Sequence, residues 1–575
     1  MRKLLAAGIA CVLTLSAASM VAAHQTAPAE ASTATDLLGF GFGGGHGGHG
    51  NGNGNGNDPR TATPIKHLIV IFQENVSFDH YFGTYPFAAN PRGEPAFYAK
   101  PFTPSINGLS HRLLTQNPNA TNTANADAAL NPFRLTRAQA ATADQDHSYT
   151  SEQGAFHGGR MDLFPLYTGH GEALPGGEAS EEGKGQVMGY YDGNTVTAYW
   201  NYAQNFAMSD NHYGTGFGPS TPGALNLIAG QTAGVVDTLN GTGALTADGN
   251  GGYTMIGDPD PIGDVCASPT ANQVTMGGRN IGDLLNDHNV TWGWFQGGFD
   301  VTRTNADGST GCTRRTLSKV TKTSSNDYSP HHEPFQYYPS TANLTHARPT
   351  SVAMIGKSGD AANHQYDTDD FYDALDAGNL PAVSFVKAPS YQDGHAGYSD
   401  PLDEQAFVVH VLNAVQQSDD WKDTAVIIAY DDSDGWYDHQ APPRTNASAG
   451  TTDAVDGDGL CKGRETLPGL DGKTPAQGRC GFGPRLPLIV VSPWARQNMV
   501  DHSVSDQSSI TRFIEDNWLS GKRIGGGSSD AQAGRLDGMF DFFLPRLTNR
   551  KLILDESTGQ PTQGSGWPRG PHGHG

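Results

Sequence analysis

Two hydrophobic segments that lie far apart in the chain each end in side chains able to bind a cation. The first runs into Glu74 and Asn75, and the second runs into Asp431 and Asp432. Both segments are short and rich in β-branched residues, which predicts buried strands. Either pair alone could simply cap a following helix. The two pairs together favour a cation site, because an open α/β sheet gathers its strand ends and their oxygen ligands at one edge.

The second segment opens an acidic stretch. Four aspartates stand within eight residues, at Asp431, Asp432, Asp434 and Asp438. Such a cluster repels itself unless a positive charge lies among the carboxylates. A solvated acidic loop is the alternative. The position directly after a buried strand, with Gly, Trp and Tyr interleaved, favours a cation site.

A serine in a Gly- and Pro-rich segment could act as a nucleophile. Ser220 stands in Gly-Phe-Gly-Pro-Ser-Thr-Pro-Gly, and residues 224–229 could open a helix behind it. Free backbone N–H groups and the helix dipole at that position would stabilise an alkoxide or an anion. A serine that only caps the helix is the alternative. The chain lacks the Gly-x-Ser-x-Gly elbow of α/β-hydrolases.

Several histidines lie in loops that carry Gly or Pro. His147, the pair His331 and His332, and His395 all have this setting, which suits phosphate contacts or a leaving-group acid near neutral pH. Isolated surface histidines are the alternative. The sequence has no His-Glu-x-x-His motif, no Walker loop and no Rossmann fingerprint after a strand. These absences argue against a metalloprotease, nucleotide-driven chemistry and hydride transfer.

The spacing of apolar residues predicts the strands and helices that position these side chains. Strands are predicted at residues 67–72, 382–387, 425–430 and 488–492. A helix with one apolar face is predicted at 404–415, and Ser508 and Ser509 could cap another that runs to Trp518. The strand, helix, strand order over 382–518 predicts parallel pairing and a sheet covered on both faces. Residues 85–340 are rich in Gly, Asn and Pro and are interpreted as large insertions that could cover the site.

The ends of the chain differ from its centre. Residues 1–23 have the pattern of a signal peptide, so we expect a secreted or periplasmic protein without a stable membrane anchor. Residues 24–60 are predicted to be a flexible Gly/Asn/His-rich linker, 61–555 a catalytic domain and 556–575 a disordered tail. The formal net charge of −23 argues against nucleic acid as a partner.

Four cysteines remain after the predicted signal peptide. An even number in an exported chain suggests two disulfides, and sequence order favours Cys266–Cys312 and Cys461–Cys480. Free thiols are the alternative.

The motifs together resemble a known family. Glu-Asn-x-Ser-Phe-Asp-x-Tyr-Phe-Gly at 74–83 and the Tyr-Asp-Asp segment with Tyr-Asp-His at 430–439 resemble the bacterial phosphoesterase family. That family contains phosphatidylcholine-type phospholipases C and secreted acid phosphatases, and it is related in fold to the alkaline phosphatase superfamily. The resemblance spans roughly residues 64–545. It implies an α/β fold like that of alkaline phosphatase, with a mostly parallel central sheet, helices on both faces and large loop insertions.

The resemblance also implies roles for individual residues. Ser220 takes the position of the nucleophile and contacts one divalent metal ion of unknown identity. The other implied metal ligands are Glu74, Asn75, Asp431 and Asp432. The histidines implied to surround the phosphate are His147, His332 and His395.

These roles lead to a functional expectation with alternatives. We expect a secreted, metal-dependent phosphoric ester hydrolase of phospholipase C type that forms a phosphoserine intermediate and takes a phospholipid headgroup or a small phosphomonoester. Phospholipases of the family commonly have Pro-Asn-Arg where this chain has Pro222-Gly223-Ala224, and we expect no counterpart of their further C-terminal β domains in this sequence. Both departures leave an acid phosphatase as the alternative. A non-catalytic cation-binding surface protein is a more distant one.

Overall fold

A nine-stranded sheet organises the part of the chain that the computed structural model describes, residues 60–178, 181–543 and 550–562. The predicted signal peptide, nearly all of the predicted linker and residues 563–575 lie outside this part. In chain order the strands are β1 (His67–Gln73), β2 (Ala207–Tyr213), β3 (Trp292–Gln296), β4 (Gln365–Tyr366), β5 (Val383–Lys387), β6 (Thr424–Tyr430), β7 (Arg485–Val491), β8 (Met499–Asp501) and β9 (Ser505–Asp506). Their order in space is β4-β3-β5-β1-β6-β7-β2-β8, and β9 also pairs with β2.

The central strands are parallel, as the sequence predicts. β1 lies between β5 and β6 and is parallel to both. Its pairing with β6 places Gln73 opposite Tyr430, so the residues that follow the two strands emerge side by side. Every residue of β6 is buried, which requires cover on both faces of the sheet. The predicted α/β class with a mostly parallel central sheet is confirmed.

One strand reverses the pattern. β7 is antiparallel to both β6 and β2, so the prediction of parallel pairing throughout 382–518 is wrong for it. The helix that joins β5 to β6 allows a parallel crossover, whereas the structure has no helix between β6 and β7. A parallel return usually runs through such a helix, and the pairing of β7 is consistent with its absence.

The main helices are α1 (Phe78–Phe82), α2 (Tyr149–Phe156), α3 (Thr197–Asn205), α4 (Ser220–Ala229), α5 (Ile281–Asp287), α6 (Thr368–Asp376), α7 (Pro401–Gln417) and α8 (Ser508–Trp518). Shorter helices of four or five residues span His111–Thr115, Pro118–Thr121 and Phe164–Tyr167. Both predicted helices are present in α7 and α8. The serines do not cap α8 from outside, because the helix begins at Ser508 and the hydroxyls of Ser508 and Ser509 both donate to Asp506.

Residues 85–340 are more than insertions. They supply β2 and β3 to the central sheet and the whole of α4, which corrects the prediction. Periodicity misses β2 because its sequence, Ala-Met-Ser-Asp-Asn-His-Tyr, is largely polar although most of it is buried. The same region forms small ribbons from Phe133–Arg134, Gly189–Tyr190, Val235–Leu239, Leu245–Ala247, Tyr253–Met255, Asp260–Pro261, Gln273–Met276, Arg315–Leu317 and Ser324–Asn326.

Two disulfides close loops of the domain. The predicted pairs Cys266–Cys312 and Cys461–Cys480 are both formed. Among the described helices none has the length and apolar character needed to cross a bilayer.

The C-terminal segment extends beyond the predicted domain boundary at 555. Leu554 pairs with Pro561, and the carbonyl of Gly559 accepts from Asn201 of α3. The packed domain therefore reaches at least Thr562, because these backbone groups find partners on its surface.

Candidate active site

The candidate site lies where β1 and β6 end beside each other. The backbone N–H of Asp431 donates to the carbonyl of Gln73 at 3.2 Å, and that of Val76 donates to the carbonyl of Asp432 at 3.1 Å. Backbone hydrogen bonds thus hold the segments that carry the two predicted ligand pairs side by side. Glu74 and Asn75 are both fully buried.

Ser220 joins this edge from α4. Its hydroxyl lies 3.0 Å from Oε2 of Glu74 and 3.2 Å from Oδ2 of Asp432. The side chain is only 2% exposed. α4 begins at Ser220 rather than at 224 as predicted, so the serine occupies the first helical position. We call Glu74, Asn75, Ser220, Asp431 and Asp432 the cradle.

A glycine allows α4 to approach the cradle. A Cβ atom at Gly223 would lie 2.0 Å from the carbonyl oxygen of Asp431. Real Cβ atoms do not come that close to a backbone atom. Any side chain at this position therefore requires the helix or the acidic loop, residues 431–438, to shift. The close packing brings the first turn of α4 against the end of β6.

A buried lysine that the sequence patterns did not single out lies in the same place. Lys387 is the last residue of β5, and its ammonium contacts Oε1 of Glu74 and lies 3.2 Å from Oδ2 of Asp431. Burial lowers the pKa of Lys387, but Asp431 and Glu74 together raise it above its usual value. The available signal was a lysine at the end of a strand whose other residues are uncharged.

Burial and mutual repulsion shift the pKa values of the carboxylates in the cradle. Burial, followed by repulsion from Glu74, raises the pKa of Asp431 well above its usual range. Burial raises the pKa of Asp432 to about 7, although His147 opposes the shift. Burial also raises the pKa of Glu74, but His332 and Lys387 outweigh it and hold the value well below the usual range. A further cation would relieve this repulsion.

The cradle fits a hard divalent cation. Both polar side-chain atoms of Asn75 are buried without a hydrogen-bond partner, a costly arrangement that a cation at Oδ1 would partly relieve. The donor set of three carboxylates, an amide oxygen and a hydroxyl consists entirely of oxygen atoms, as Mg²⁺ and Ca²⁺ prefer.

The predicted histidines divide into two groups. His332 places Nδ1 at 3.2 Å from Oε1 of Glu74. His147 places Nδ1 at 3.2 Å from Oδ1 of Asp434, and its ring centroid lies 5.6 Å from that of His395. His331, the neighbour that the sequence could not separate from His332, has Asp260 as its acidic partner at 3.8 Å instead.

Two further acids position the serine segment, and sequence reasoning did not identify them. Glu152 of α2 accepts from the N–H of Gly218 at 3.0 Å and from the hydroxyl of Ser433 at 2.7 Å. Burial raises the pKa of Glu152 to about 8, with Asp432 adding to the shift. Asp258 accepts from the N–H of Thr221 at 2.8 Å. No local pattern marks either residue, because their partners are remote in sequence.

Comparison with known proteins places these features in context. A family model described as the phosphoesterase family matches residues 65–519. A non-hemolytic phospholipase C of Pseudomonas aeruginosa is 24% identical over 464 residues, covering 78% of this chain and 53% of the relative. Phospholipase C B of Mycobacterium tuberculosis is 22% identical over 513 residues, covering 85% of this chain and 80% of the relative. The chain spans about half the length of the first of these relatives.

Among solved structures, a variant of the alkaline phosphatase PafA aligns with 60% of this chain and 94% of its own at 10% identity, with a TM-score of 0.29.

Proposed function

Because the chain belongs to the phosphoesterase family, we propose that it is a metal-dependent phosphoric ester hydrolase of phospholipase C type with Ser220 as nucleophile. One observation carries the proposal. The Ser220 hydroxyl hydrogen-bonds to carboxylates that follow two different buried strands, which brings a nucleophile and cation ligands into contact. Relatives named as phospholipases C support the reaction class.

The cradle would hold one divalent cation. Glu74, Asn75, Asp431 and Asp432 would supply oxygen ligands together with the Ser220 hydroxyl. A bound divalent ion stabilises a serine alkoxide and offsets the charge of phosphoryl oxygens.

Ser220 would then attack phosphorus. Its Oγ–P bond forms while the bond from phosphorus to the oxygen of the leaving alcohol breaks, and the hydroxyl proton passes to Glu74 or Asp432, which already accept its hydrogen bond. In the second half of the reaction, water attacks phosphorus and restores the free serine. The first position of α4 adds the positive end of the helix dipole to the stabilisation of the attacking oxygen.

A histidine would protonate the leaving alcohol. Burial lowers the pKa of His147, but Asp432 and Asp434 outweigh it and hold the value well above the usual range. The two aspartates therefore favour the protonated form of His147. With His332 and His395 it would contact the phosphoryl group, and its proton is available to the departing oxygen.

The substrate class has two candidates. A phosphodiester with a lipid headgroup follows from the named relatives. A phosphomonoester is favoured by Gly223, where the close approach to Asp431 excludes the asparagine that phospholipases of the family commonly carry. Two disulfides and the predicted signal peptide support export to the periplasm or the medium.

Replacement of the nucleophile tests the proposal. Ser220→Ala should reduce turnover by at least about 1,000-fold while the circular dichroism spectrum and thermal unfolding stay unchanged, because the hydroxyl is lost but its packing is not. Turnover is measured on phosphatidylcholine, p-nitrophenyl phosphate and bis-p-nitrophenyl phosphate, with and without chelator. Ser358→Ala, at an exposed serine, is the matched control.

Near-normal hydrolysis of the preferred substrate by Ser220→Ala would refute the nucleophile. If the wild type hydrolyses none of the three substrates under any metal condition, the non-catalytic cation-binding alternative gains support.

A further inference from the structure

Lys387 brings a fixed positive charge to the cradle from a third strand. β5 lies beside β1 in the sheet, and the lysine side chain extends from the end of β5 to Glu74 and Asp431. It is 1% exposed, and its ammonium also lies 5.4 Å from the centroid of the Phe72 ring. A buried lysine loses the hydration of its ammonium group, so close and well-placed carboxylates are needed to stabilise its charge.

The acidic side chains of the cradle outnumber the lysine that contacts them. The cradle contains three carboxylates, those of Glu74, Asp431 and Asp432, and Lys387 contacts two of the three, Glu74 and Asp431.

We propose that Lys387 is a positioning residue that fixes Glu74 and Asp431, and that its positive charge shifts the preference of the cradle towards a divalent cation and away from a trivalent one. The inference rests on the proposed metal-binding function of the cradle. Repulsion between Lys387 and a bound ion grows in proportion to the ion's charge. Removing the lysine charge therefore favours a trivalent ion more than a divalent ion of the same size.

Paired titrations with Ca²⁺ and Tb³⁺ test this role, because the two ions have similar radii and both prefer oxygen ligands. Ca²⁺ binding is measured by calorimetry and Tb³⁺ binding by luminescence sensitised through protein aromatic groups. The proteins are the full chain as wild type, Lys387→Met, Lys387→Gln and Lys387→Arg, with Lys422→Met at an exposed lysine as control. Circular dichroism and thermal unfolding confirm that each variant is folded.

The expected result is a change in preference rather than a simple loss. The ratio of Tb³⁺ to Ca²⁺ affinity should rise about tenfold or more in Lys387→Met and Lys387→Gln. It should stay within about twofold of the wild type in Lys387→Arg and Lys422→Met. Should the methionine variant fail to fold, the glutamine variant, which can donate to either carboxylate, carries the comparison.

Three results would overturn the inference. A ratio that stays within about twofold of the wild type in folded Lys387→Gln would leave Lys387 as a structural ion pair only. A ratio that rises equally in Lys387→Arg would exclude charge as the cause. A wild-type protein that binds neither ion would refute the cation cradle itself, and so would separate failure of the proposed function from failure of this inference.

Discussion

Two buried charge clusters lie near the ends of β1 and β6, and they differ in how their charges are balanced. One is the cradle with Lys387. The other, the guanidinium cluster, consists of Asp79, Asp438, His439 and Arg485. Arg485 donates to Asp438 at 3.1 Å and to Asp79 at 3.0 Å, and His439 places Nδ1 at 2.6 Å from the second oxygen of Asp79.

Both acids of the guanidinium cluster have basic side chains of the protein as partners. Burial raises the pKa of Asp79, but His439 and Arg485 outweigh it and leave the value lowered. Nη1 of Arg485 also donates to the backbone carbonyls of Asn107 and Asp210. This cluster therefore fastens α1, the acidic loop and β7 together, and its role is structural.

The cradle is equally buried but is not complete. Its carboxylates outnumber its ammonium group, the pKa of Asp431 is raised well above the usual range by burial and by Glu74, and the amide of Asn75 has no partner. The difference shows that burial of acids does not by itself indicate a functional site. The proposed cation site rests instead on an excess of carboxylates together with an unpartnered polar group.

Replacing one aspartate by asparagine in each cluster should give the largest difference in metal binding, turnover and stability. Asp431→Asn should lower divalent-ion affinity and turnover by more than about 100-fold, measured by elemental analysis of the purified protein and by initial rates. In chelator its free energy of unfolding should stay within about 1 kcal/mol of the wild type, since Lys387 keeps Glu74 as a partner and the repulsion between Asp431 and the other carboxylates is lost. Unchanged metal content would contradict the role of Asp431. The matched change Asp438→Asn should instead lower the free energy of unfolding.

Replacing Arg485 in the guanidinium cluster should lower the free energy of unfolding more than it lowers turnover. Arg485→Met leaves Asp79 and Asp438 without their buried partner and should cost about 3–5 kcal/mol of stability, measured by urea unfolding. Arg315→Met, at an exposed arginine, should change stability by less than about 0.5 kcal/mol. If Arg485→Met keeps wild-type stability, the structural interpretation of this cluster is wrong.

A third buried carboxyl, that of Glu404, has hydroxyl groups rather than a cation as its partners. Glu404 of α7 accepts from the hydroxyls of Tyr81 at 2.7 Å and Tyr430 at 2.8 Å, and burial raises its pKa to about 8. The folded state therefore retains this proton at pH values where the unfolded chain releases it. The resulting stability is fully present below about pH 4.5, the ordinary pKa of a glutamate, and is lost as the pH rises towards 8.

Glu404→Gln should abolish this pH dependence. The wild type should lose up to about 4 kcal/mol relative to the variant between about pH 4.5 and 8, measured by urea unfolding across that range. Parallel curves for the two proteins would show that Glu404 ionises normally in the folded state.

The central strands and their ligand pairs could be predicted because parallel strands that are buried on both faces have continuous apolar sequences. β1, β5 and β6 carry that signal, and the residues that follow two of them meet as expected. β2 lacks the signal since its buried residues include Ser209, Asp210 and His212. The direction of β7 depends on the missing helix before it, which the strand's own sequence does not reveal.

The fold class and the residue types that assemble at the edge of the sheet could be predicted from the sequence, and sequence order favoured the two disulfide pairs that form. The packing of distant elements adds that Lys387 joins Glu74 and Asp431, that Glu152 braces the serine segment, and that the carboxylates of the cradle outnumber the ammonium group that contacts them. The physical reason is that charge balance is a sum over neighbours in space. Those neighbours come from strands and helices hundreds of residues apart, so no local pattern contains the sum.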